Sequence, residues 1–312
     1  MIKAIKYLVP FILLSGTSSC AQEKNKETTE NMENYSPPLG KQYEKNPDYS
    51  LQVFSSNCTF ALRVNDVVVF KYMEPLGGFT SLIPLNGNIL ASGKQEITVQ
   101  IMPKPGEAQL SKYATFKIEV RLYKDVDDPV LEYEPVLSYE LKVPEEGMPA
   151  TIFKDIFMAE VPYTLEGWKN SKDLSKEKNI GEEVYQFYKE FQTVIKNKDE
   201  NKMFELIKKR EKEIAQAFYF TEANAKERLD FFKELINTSE KAVSFEEARL
   251  NFYGNGRIVN LEMPNGSSAL QFEVRPEEEE KVEGVEVEEY GPLSFSLMLH
   301  KPKGSDKLEI IR

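Results

Sequence analysis

CTFALRVNDVVVFKY, residues 58–72, alternates apolar and polar side chains in its first half, with the period of two that is typical of a β-strand. One face of this half collects the side chains of Cys58, Phe60, Leu62 and Val64. Asn65 and Asp66 follow, and both residue types tolerate the positive φ angles that a two-residue primed turn requires. The stretch therefore predicts a β-hairpin whose first strand turns an apolar face towards a core.

The same alternation recurs further along the chain, in the segments QEITVQIM, YATFKIEVRLY and VLSYELKV. In the first two segments the apolar face holds Ile97, Val99 and Ile101, and then Phe116, Ile118, Val120 and Leu122. Short strands of this kind favour a β-sandwich over a barrel, because a sandwich needs no closure. We therefore predict an all-β sandwich domain over residues 49–165.

Part of this domain resembles a known family. RVNDVVV and FTSLIPLNGNILASGKQEITVQIMP, both within residues 63–103, are similar to the strand, turn and glycine pattern of galactose-binding-type jelly rolls. In that family a short helical turn tucks an apolar residue under the sandwich, and the resemblance places this residue at Ile89 or Leu90. Lys94-Gln95 stands where the family has Asn, and Asp66 where it has Gly. Because these positions fix a corner in the family, the resemblance implies a fold and leaves carbohydrate binding as a separate hypothesis.

The pattern changes after residue 165. Residues 166–180 are polar and contain glycine, which predicts a linker. Trp168 within it is expected to pin one domain to the next, with a ligand-stacking platform as the alternative. From residue 181 the apolar side chains recur with the 3.6-residue period of amphipathic helices. Three successive apolar stripes consist of Val184, Tyr188, Phe191 and Ile195, then Met203, Leu206, Ile207, Ile214 and Phe218, then Ala225, Leu229, Phe232 and Ile236.

The period returns to two after the third helix. Gly254-Asn255-Gly256 and Pro264-Asn265-Gly266 each lie between alternating segments and predict hairpin turns. Helices followed by an antiparallel meander predict an α+β domain over residues 181–312, with the three helices packed on one antiparallel sheet. This order of elements, with KNKDENKMFELI at the second helix, resembles the cystatin-like and nuclear-transport-factor-2-like folds in topology.

The N-terminal residues have the pattern of a targeting segment. Lys3 and Lys6 precede the apolar run YLVPFILL, and small residues then lead to Cys20. This arrangement resembles the lipobox of Bacteroidota-type bacterial lipoproteins. The resemblance implies a signal peptide over residues 1–19, a lipid on Cys20 and, with Ala21 beside it, an outer-membrane location on either face. The alternative is cleavage after Ala21, which would release a soluble periplasmic protein.

Residues 20–48 hold almost no large aliphatic side chains. Such a segment cannot offset the entropy cost of folding, so we predict that it forms a flexible tether. A coil of this length spans on the order of 30 Å, which would hold the folded part clear of the membrane.

Charge and residue usage limit the possible chemistry. A formal net charge of −11 argues against a nucleic-acid partner, because phosphate binding needs clustered Lys and Arg. Cys58 is predicted to be a buried strand residue, and the single histidine, His300, a surface residue at a strand end. One histidine and two cysteines do not suffice for the usual zinc sites. We predict no catalytic residue, no cofactor and no metal site.

An acidic run lies near the end of the chain, in the segment RPEEEEKVEGVEVEEYG. It begins with Glu277, Glu278, Glu279 and Glu280. Self-repulsion between carboxylates predicts a solvated loop between two strands. Contact with a cation or a basic partner protein is a competing hypothesis, and a pair of glycosidase carboxylates is another.

The sequence thus predicts a cell-envelope lipoprotein that acts by binding rather than by catalysis. Its expected partners are the membrane, through the lipid, and an envelope protein or glycan. Two other functions stay open: a hydrolase that acts on envelope glycans through carboxylates, and a periplasmic inhibitor or immunity-type protein.

Overall fold

The computed structural model describes residues 36–73, 77–128, 130, 132–274 and 292–312. Within this part the chain forms two compact units. The first consists of Ser36, Gly40–Leu165 and Ile214–Tyr219, and the second of Pro37–Leu39, Glu166–Glu213 and Phe220–Arg312. In the residues described, no helix has both the length and the apolar composition that a membrane span needs.

The described part of the first unit contains eight strands in two four-stranded antiparallel sheets. The strands are β1 (Asp48–Ser56), β2 (Thr59–Val64), β3 (Val67–Tyr72), β4 (Gly78–Pro84), β5 (Gly93–Met102), β6 (Thr115–Tyr123), β7 (Tyr133–Glu140) and β8 (Thr151–Ala159). One sheet has the order β4-β1-β6-β7, and the other has the order β3-β2-β5-β8.

The two sheets of the first unit pack face to face. The ring centroids of Phe60 in β2 and Phe116 in β6 are 5.0 Å apart, and those of Tyr49 in β1 and Phe157 in β8 are 5.9 Å apart. Of the side chains predicted to face inward, only Leu122 is half-buried. The others are at most 1% exposed, and they are Cys58, Phe60, Leu62, Val64, Ile97, Val99, Ile101, Phe116, Ile118 and Val120. The predicted β-sandwich is therefore confirmed as a β-sandwich-like, β-rich fold.

The predicted hairpin between β2 and β3 is also present. Val64 pairs with Val67, and the two residues between them have positive φ angles, 53° at Asn65 and 60° at Asp66. Positive φ at both positions defines the primed turn whose twist matches that of the flanking strands.

Asn65 also fixes a corner of the first unit through its side chain. Its Nδ2 donates to the backbone oxygen of Asn88 at 2.9 Å and to Oε1 of Gln95 at 2.8 Å. Asn88 ends a short 3₁₀ turn, Asn86–Asn88, after which Ile89 is fully buried and Leu90 is 6% exposed. A helical turn followed by two buried aliphatic side chains is thus part of this corner, while the resemblance to galactose-binding-type jelly rolls stays a prediction.

The folded chain begins earlier than the predicted end of the tether. Asn46 is 2% exposed, and its Nδ2 donates to Oδ2 of Asp127 at 2.8 Å. Asp48 begins β1 and is 7% exposed. These residues belong to the first unit because polar side chains bonded to a nearby loop hold the segment, although it lacks the large aliphatic side chains that composition alone would require.

The described part of the second unit contains three helices followed by short strands, which confirms an α+β region after the β-rich unit. The helices are α1 (Ile180–Lys196), α2 (Glu200–Ala217, whose last turn is counted with the first unit) and α3 (Glu222–Thr238). The predicted stripe of α1 is buried, with at most 1% exposure at Val184, Tyr188, Phe191 and Ile195. Thr221 caps the N-terminus of α3, and it forms a capping box in which Asn224 is the reciprocal partner.

The strands of the second unit form two sheets rather than the single predicted one. They are β9 (Ser239–Ala242), β10 (Arg249–Tyr253), β11 (Ile258–Glu262), β12 (Leu270–Val274), β13 (Leu293–Phe295), β14 (Leu299–His300) and β15 (Glu309–Ile310). The described orders are β10-β11-β14-β15 and β13-β12-β9.

The division into two sheets occurs just after the predicted Pro264-Asn265-Gly266 turn. The ladder between β11 and the following chain ends at a single bridge, between Glu262 and Ser268. From Leu270 the chain pairs with β13 and β9 instead, where Leu270 and Phe272 are fully buried. Burial of these apolar side chains stabilises β12 in the second sheet, and a turn signal that reports only on nearby residues could not show this.

Candidate functional site

Two of the predicted site features lie outside the described residues: the lipid attachment residue Cys20, and the acidic run with Glu277, Glu278, Glu279 and Glu280. In the described residues, no group of three or more His, Cys, Asp or Glu side chains is placed to hold a metal ion. The remaining candidates for a functional site are Cys58, Trp168, His300 and the exposed faces of the sheets.

Cys58 is buried, as predicted, at 1% exposure. Its thiol donates to the backbone oxygen of Thr115 at 3.5 Å. Burial raises the pKa of the Cys58 thiol to about 11, because the charged thiolate is poorly solvated there. A thiol that is both covered and protonated at neutral pH fills the core and does not act as a nucleophile.

His300 is buried, so the prediction of a surface histidine at a strand end is wrong. The residue is 1% exposed. It ends β14, but this short strand lies between β11 and β15, which puts its residues in the interior of a sheet. Burial lowers the pKa of the imidazole from 6.5 to about 4, and Lys209 adds to the effect. His300 is therefore neutral at physiological pH.

The surroundings of His300 are polar. Oγ of Ser171 lies 2.6 Å from Nδ1, and Oε2 of Glu309 lies 3.7 Å from Nε2. Nζ of Lys209 lies 3.1 Å from the same Glu309 oxygen. A serine, a histidine and a carboxylate thus meet, as they do in hydrolases, but Ser171 is only 2% exposed. Because a nucleophilic hydroxyl must touch its substrate, this arrangement fits a buried structural network better than an active site.

Trp168 is also buried, at 6% exposure, so its ring offers no open face for stacking a ligand. Within the second unit its ring lies 5.3 Å from the guanidinium of Arg312. A methyl group on Gly254 would come within 2.9 Å of its Cδ1 atom. The expected contact between Trp168 and the preceding domain stays a prediction.

The outer face of β8 is the candidate functional surface. Ile152 is 58% exposed, Ile156 49% and Met158 60%, and all three side chains point away from the sandwich. Lys154 lies between the two isoleucines on the same face. We define the β8 face as these four residues together with the two charged residues that lie opposite Met158 and Ile156 on β5, Lys94 and Glu96.

The β8 face continues across the sheet as a basic surface. Ile152 pairs with Gln100, Gln100 with Ala61, and Ala61 with Lys71. The next row runs from Lys154 through Thr98 to Arg63, whose guanidinium lies 3.5 Å from the Asp66 carboxylate. This face therefore carries four basic side chains, Arg63, Lys71, Lys94 and Lys154, against the carboxylates of Glu96 and Asp66.

The edge of β8 is partly closed to a further strand. The backbone N–H of Ile156 donates to Oδ1 of Asp155 at 2.8 Å. Asp155 follows the inward-facing parity of Phe153 and Phe157, and a charged side chain at such a position is a known protection of sheet edges. The centre of this edge is thus capped by its own side chain, while the outer face stays open.

Strand β8 lacks the strict alternation of the strands that were predicted from the sequence. Its sequence, TIFKDIFMA, has apolar residues of both parities, Phe153 and Phe157 inward and Ile152, Ile156 and Met158 outward. A search for strict alternation misses such a strand. A run of β-branched and aromatic residues without helical period was the available signal.

Comparison with protein-family models finds no match to this chain, and searches of curated proteins and of solved structures find none either.

Proposed function

We propose that this protein is a lipid-anchored protein of the cell envelope that acts by binding, and that the β8 face is its binding surface. The observation that carries this proposal is the exposure of Ile152, Ile156 and Met158 on the same face of one strand, with Lys154 between the two isoleucines. Single exposed aliphatic side chains are ordinary on protein surfaces, whereas three large apolar side chains exposed on one face of a strand are typical of an interaction site.

The energetics of the β8 face suit a docking surface of modest strength. Complete burial of one large aliphatic side chain contributes about 1.5–3 kcal/mol, so burial of the exposed halves of three contributes roughly 3 kcal/mol. A Kd of 1 mM corresponds to about 4 kcal/mol. The face alone therefore gives weak binding, and it becomes effective where an anchor keeps its partner at high local concentration.

The predicted lipid on Cys20 would supply such an anchor. A chain held at a membrane by its N-terminus meets other envelope components within the reach of its tether, which is on the order of 30 Å. Weak docking then suffices to orient the folded units. This is a binding role that requires no catalytic residue.

Site-specific crosslinking in intact cells tests the proposal. A photoreactive benzophenone amino acid replaces Ile156 in one variant and Lys117 in a control, since Lys117 is exposed on the outer face of the opposite sheet. We expect crosslinked products, whether protein, glycan or lipid, at position 156 and few at position 117. Equal yields at the two positions would show that the β8 face is not the binding surface.

A further inference from the structure

We propose that the occupant of the β8 face is the surface of an anionic phospholipid bilayer. This inference rests on the proposed function and names the partner of the same surface. It follows from the arrangement of apolar and basic side chains on the face, from the local charge, and from the partly closed edge of β8.

Apolar and basic side chains lie next to one another on the β8 face. Ile152, Ile156 and Met158 form an apolar row, and Lys154 projects between them. Lys94 lies opposite Met158 on the neighbouring strand. Long lysine side chains can keep their ammonium groups at the level of lipid phosphates while aliphatic neighbours enter the acyl boundary.

The charge of this face differs from that of the whole chain. The whole chain carries a formal charge of −11, so an anionic membrane would repel most of its surface. The outer face of the β3-β2-β5-β8 sheet departs from this average, because Arg63, Lys71, Lys94 and Lys154 outnumber the acidic Glu96 and Asp66. A basic face on an acidic protein selects an anionic partner and orients the protein towards it.

The β8 face suits a bilayer better than a peptide strand or a protein surface. A peptide that extended the sheet would need the outward N–H groups of β8, and the central one, that of Ile156, already donates to Asp155. Cores of protein–protein interfaces are enriched in aromatic residues and depleted in lysine. The β8 face has two lysines, a glutamate and no aromatic side chain, and Met158 is its one residue of a type that interface cores favour. A bilayer needs neither a free edge nor a shaped groove.

Depth-dependent fluorescence quenching tests this inference. An environment-sensitive fluorophore is attached at Met158→Cys, and a matched control carries it at Leu82→Cys, which is exposed on the outer face of the opposite sheet. Labelling is selective because Cys58 is buried. The protein as isolated from cells is mixed with vesicles of phosphatidylcholine alone, or of phosphatidylcholine with phosphatidylglycerol, each containing a spin-labelled quencher lipid.

We expect quenching at position 158 in the anionic vesicles, at least threefold stronger than at position 82, and little at either position in neutral vesicles. One lysine near a membrane surface contributes about fivefold to binding, so Lys94→Gln with Lys154→Gln should lower the docked fraction about 25-fold. Raising the ionic strength to about 1 M should also lower the docked fraction, because salt screens the attraction between the lysines and the anionic lipids.

Two results would overturn the bilayer as the occupant. One is equal quenching at positions 158 and 82, and the other is quenching that changes neither with the lysine substitutions nor with the salt concentration. The crosslinking experiment separates this failure from failure of the proposed function. If position 156 crosslinks to a protein while the label at 158 stays unquenched, the face binds a protein and only the lipid assignment is wrong. If neither signal exceeds its control, both proposals are wrong.

Discussion

The hydroxyl oxygen of Ser171 lies 2.6 Å from Nδ1 of His300, and both side chains are buried in the second unit. The hydroxyl and the neutral imidazole therefore share a hydrogen bond in which neither carries a charge. Glu309, Lys209, Glu213 and Arg312 act electrostatically on the same ring. Because burial disfavours the charged imidazolium, the enclosed His300 makes the stability of the fold sensitive to acid.

We predict that stability falls as the pH drops from about 6.5 to about 4. Burial lowers the pKa of His300 from 6.5 to about 4 in the folded state. Between these two pH values the imidazole is protonated in the unfolded chain and neutral in the folded chain. The contribution is complete above pH 6.5 and is lost as the pH falls towards 4, with a magnitude on the order of 3 kcal/mol. Urea unfolding of wild type and His300→Gln at several pH values measures it. Parallel pH profiles for the two proteins would contradict the prediction.

We predict that Gly254→Ala destabilises the second unit much more than Gly304→Ala. Both glycines have positive φ angles, 58° and 86°. A Cβ on Gly254 would lie 2.9 Å from Cδ1 of Trp168, whereas one on Gly304 would meet no atom within 4 Å. The backbone strain is thus similar, and the difference of about 1–3 kcal/mol comes from overpacking against the indole. Tryptophan fluorescence in urea reports the second unit, and equal midpoints would show that the ring moves aside freely.

We predict that Asn65→Gly destabilises the first unit by about 2 kcal/mol. Glycine keeps the positive φ of the turn, so the loss reports the side-chain bonds that Asn65 donates to Asn88 and Gln95 and accepts from the backbone N–H of Glu96. Asp66→Gly is the matched control, which should change stability by less than about 0.5 kcal/mol. Urea unfolding followed by far-ultraviolet circular dichroism measures both. Similar losses in the two variants would place the cost in the turn rather than in the corner.

We predict that Cys58 reacts with a disulfide reagent at pH 8 at least about 1,000-fold more slowly in the folded protein than in urea. The thiol is 1% exposed and its pKa is raised to about 11, so both access and ionisation are suppressed. The rate of release of the coloured thiolate from the reagent measures the difference. Fast reaction in the folded state would require local opening of β2.

We predict that the protein enters the detergent phase in a phase-partitioning assay and that Cys20→Ala moves it to the aqueous phase. The acyl chains attached at Cys20 would be the cause, because each buried CH₂ contributes about 0.8 kcal/mol. Equal partitioning of the two proteins would favour the alternative of cleavage after Ala21. The assay therefore also tests the anchor on which the proposed docking role depends.

Local periodicity predicted much of this fold. Alternation identified Phe60, Leu62 and Val64 as one inward face, and the 3.6-residue period identified the buried stripe of α1, because each pattern depends only on residues close in sequence. The turn at Asn65 and Asp66 was likewise predictable, since few residue types adopt positive φ at two successive positions.

The candidate surface and the burial of His300 could not be predicted in this way. Ile152, Ile156 and Met158 are as apolar as core residues, and they are exposed because they lie on the face of β8 that points away from the opposite sheet. His300 is buried because β14 lies between β11 and β15, which are distant in sequence from one another.

The sequence by itself determined the apolar faces of the alternating strands and of α1, where the hairpin turns, and that the isolated thiol Cys58 belongs to a core face. Only the tertiary structure decided which apolar face stays exposed and which polar side chain becomes enclosed. The physical reason is that burial is a property of neighbours: pairing partners from remote parts of the chain cover His300 and leave the outer face of β8 open.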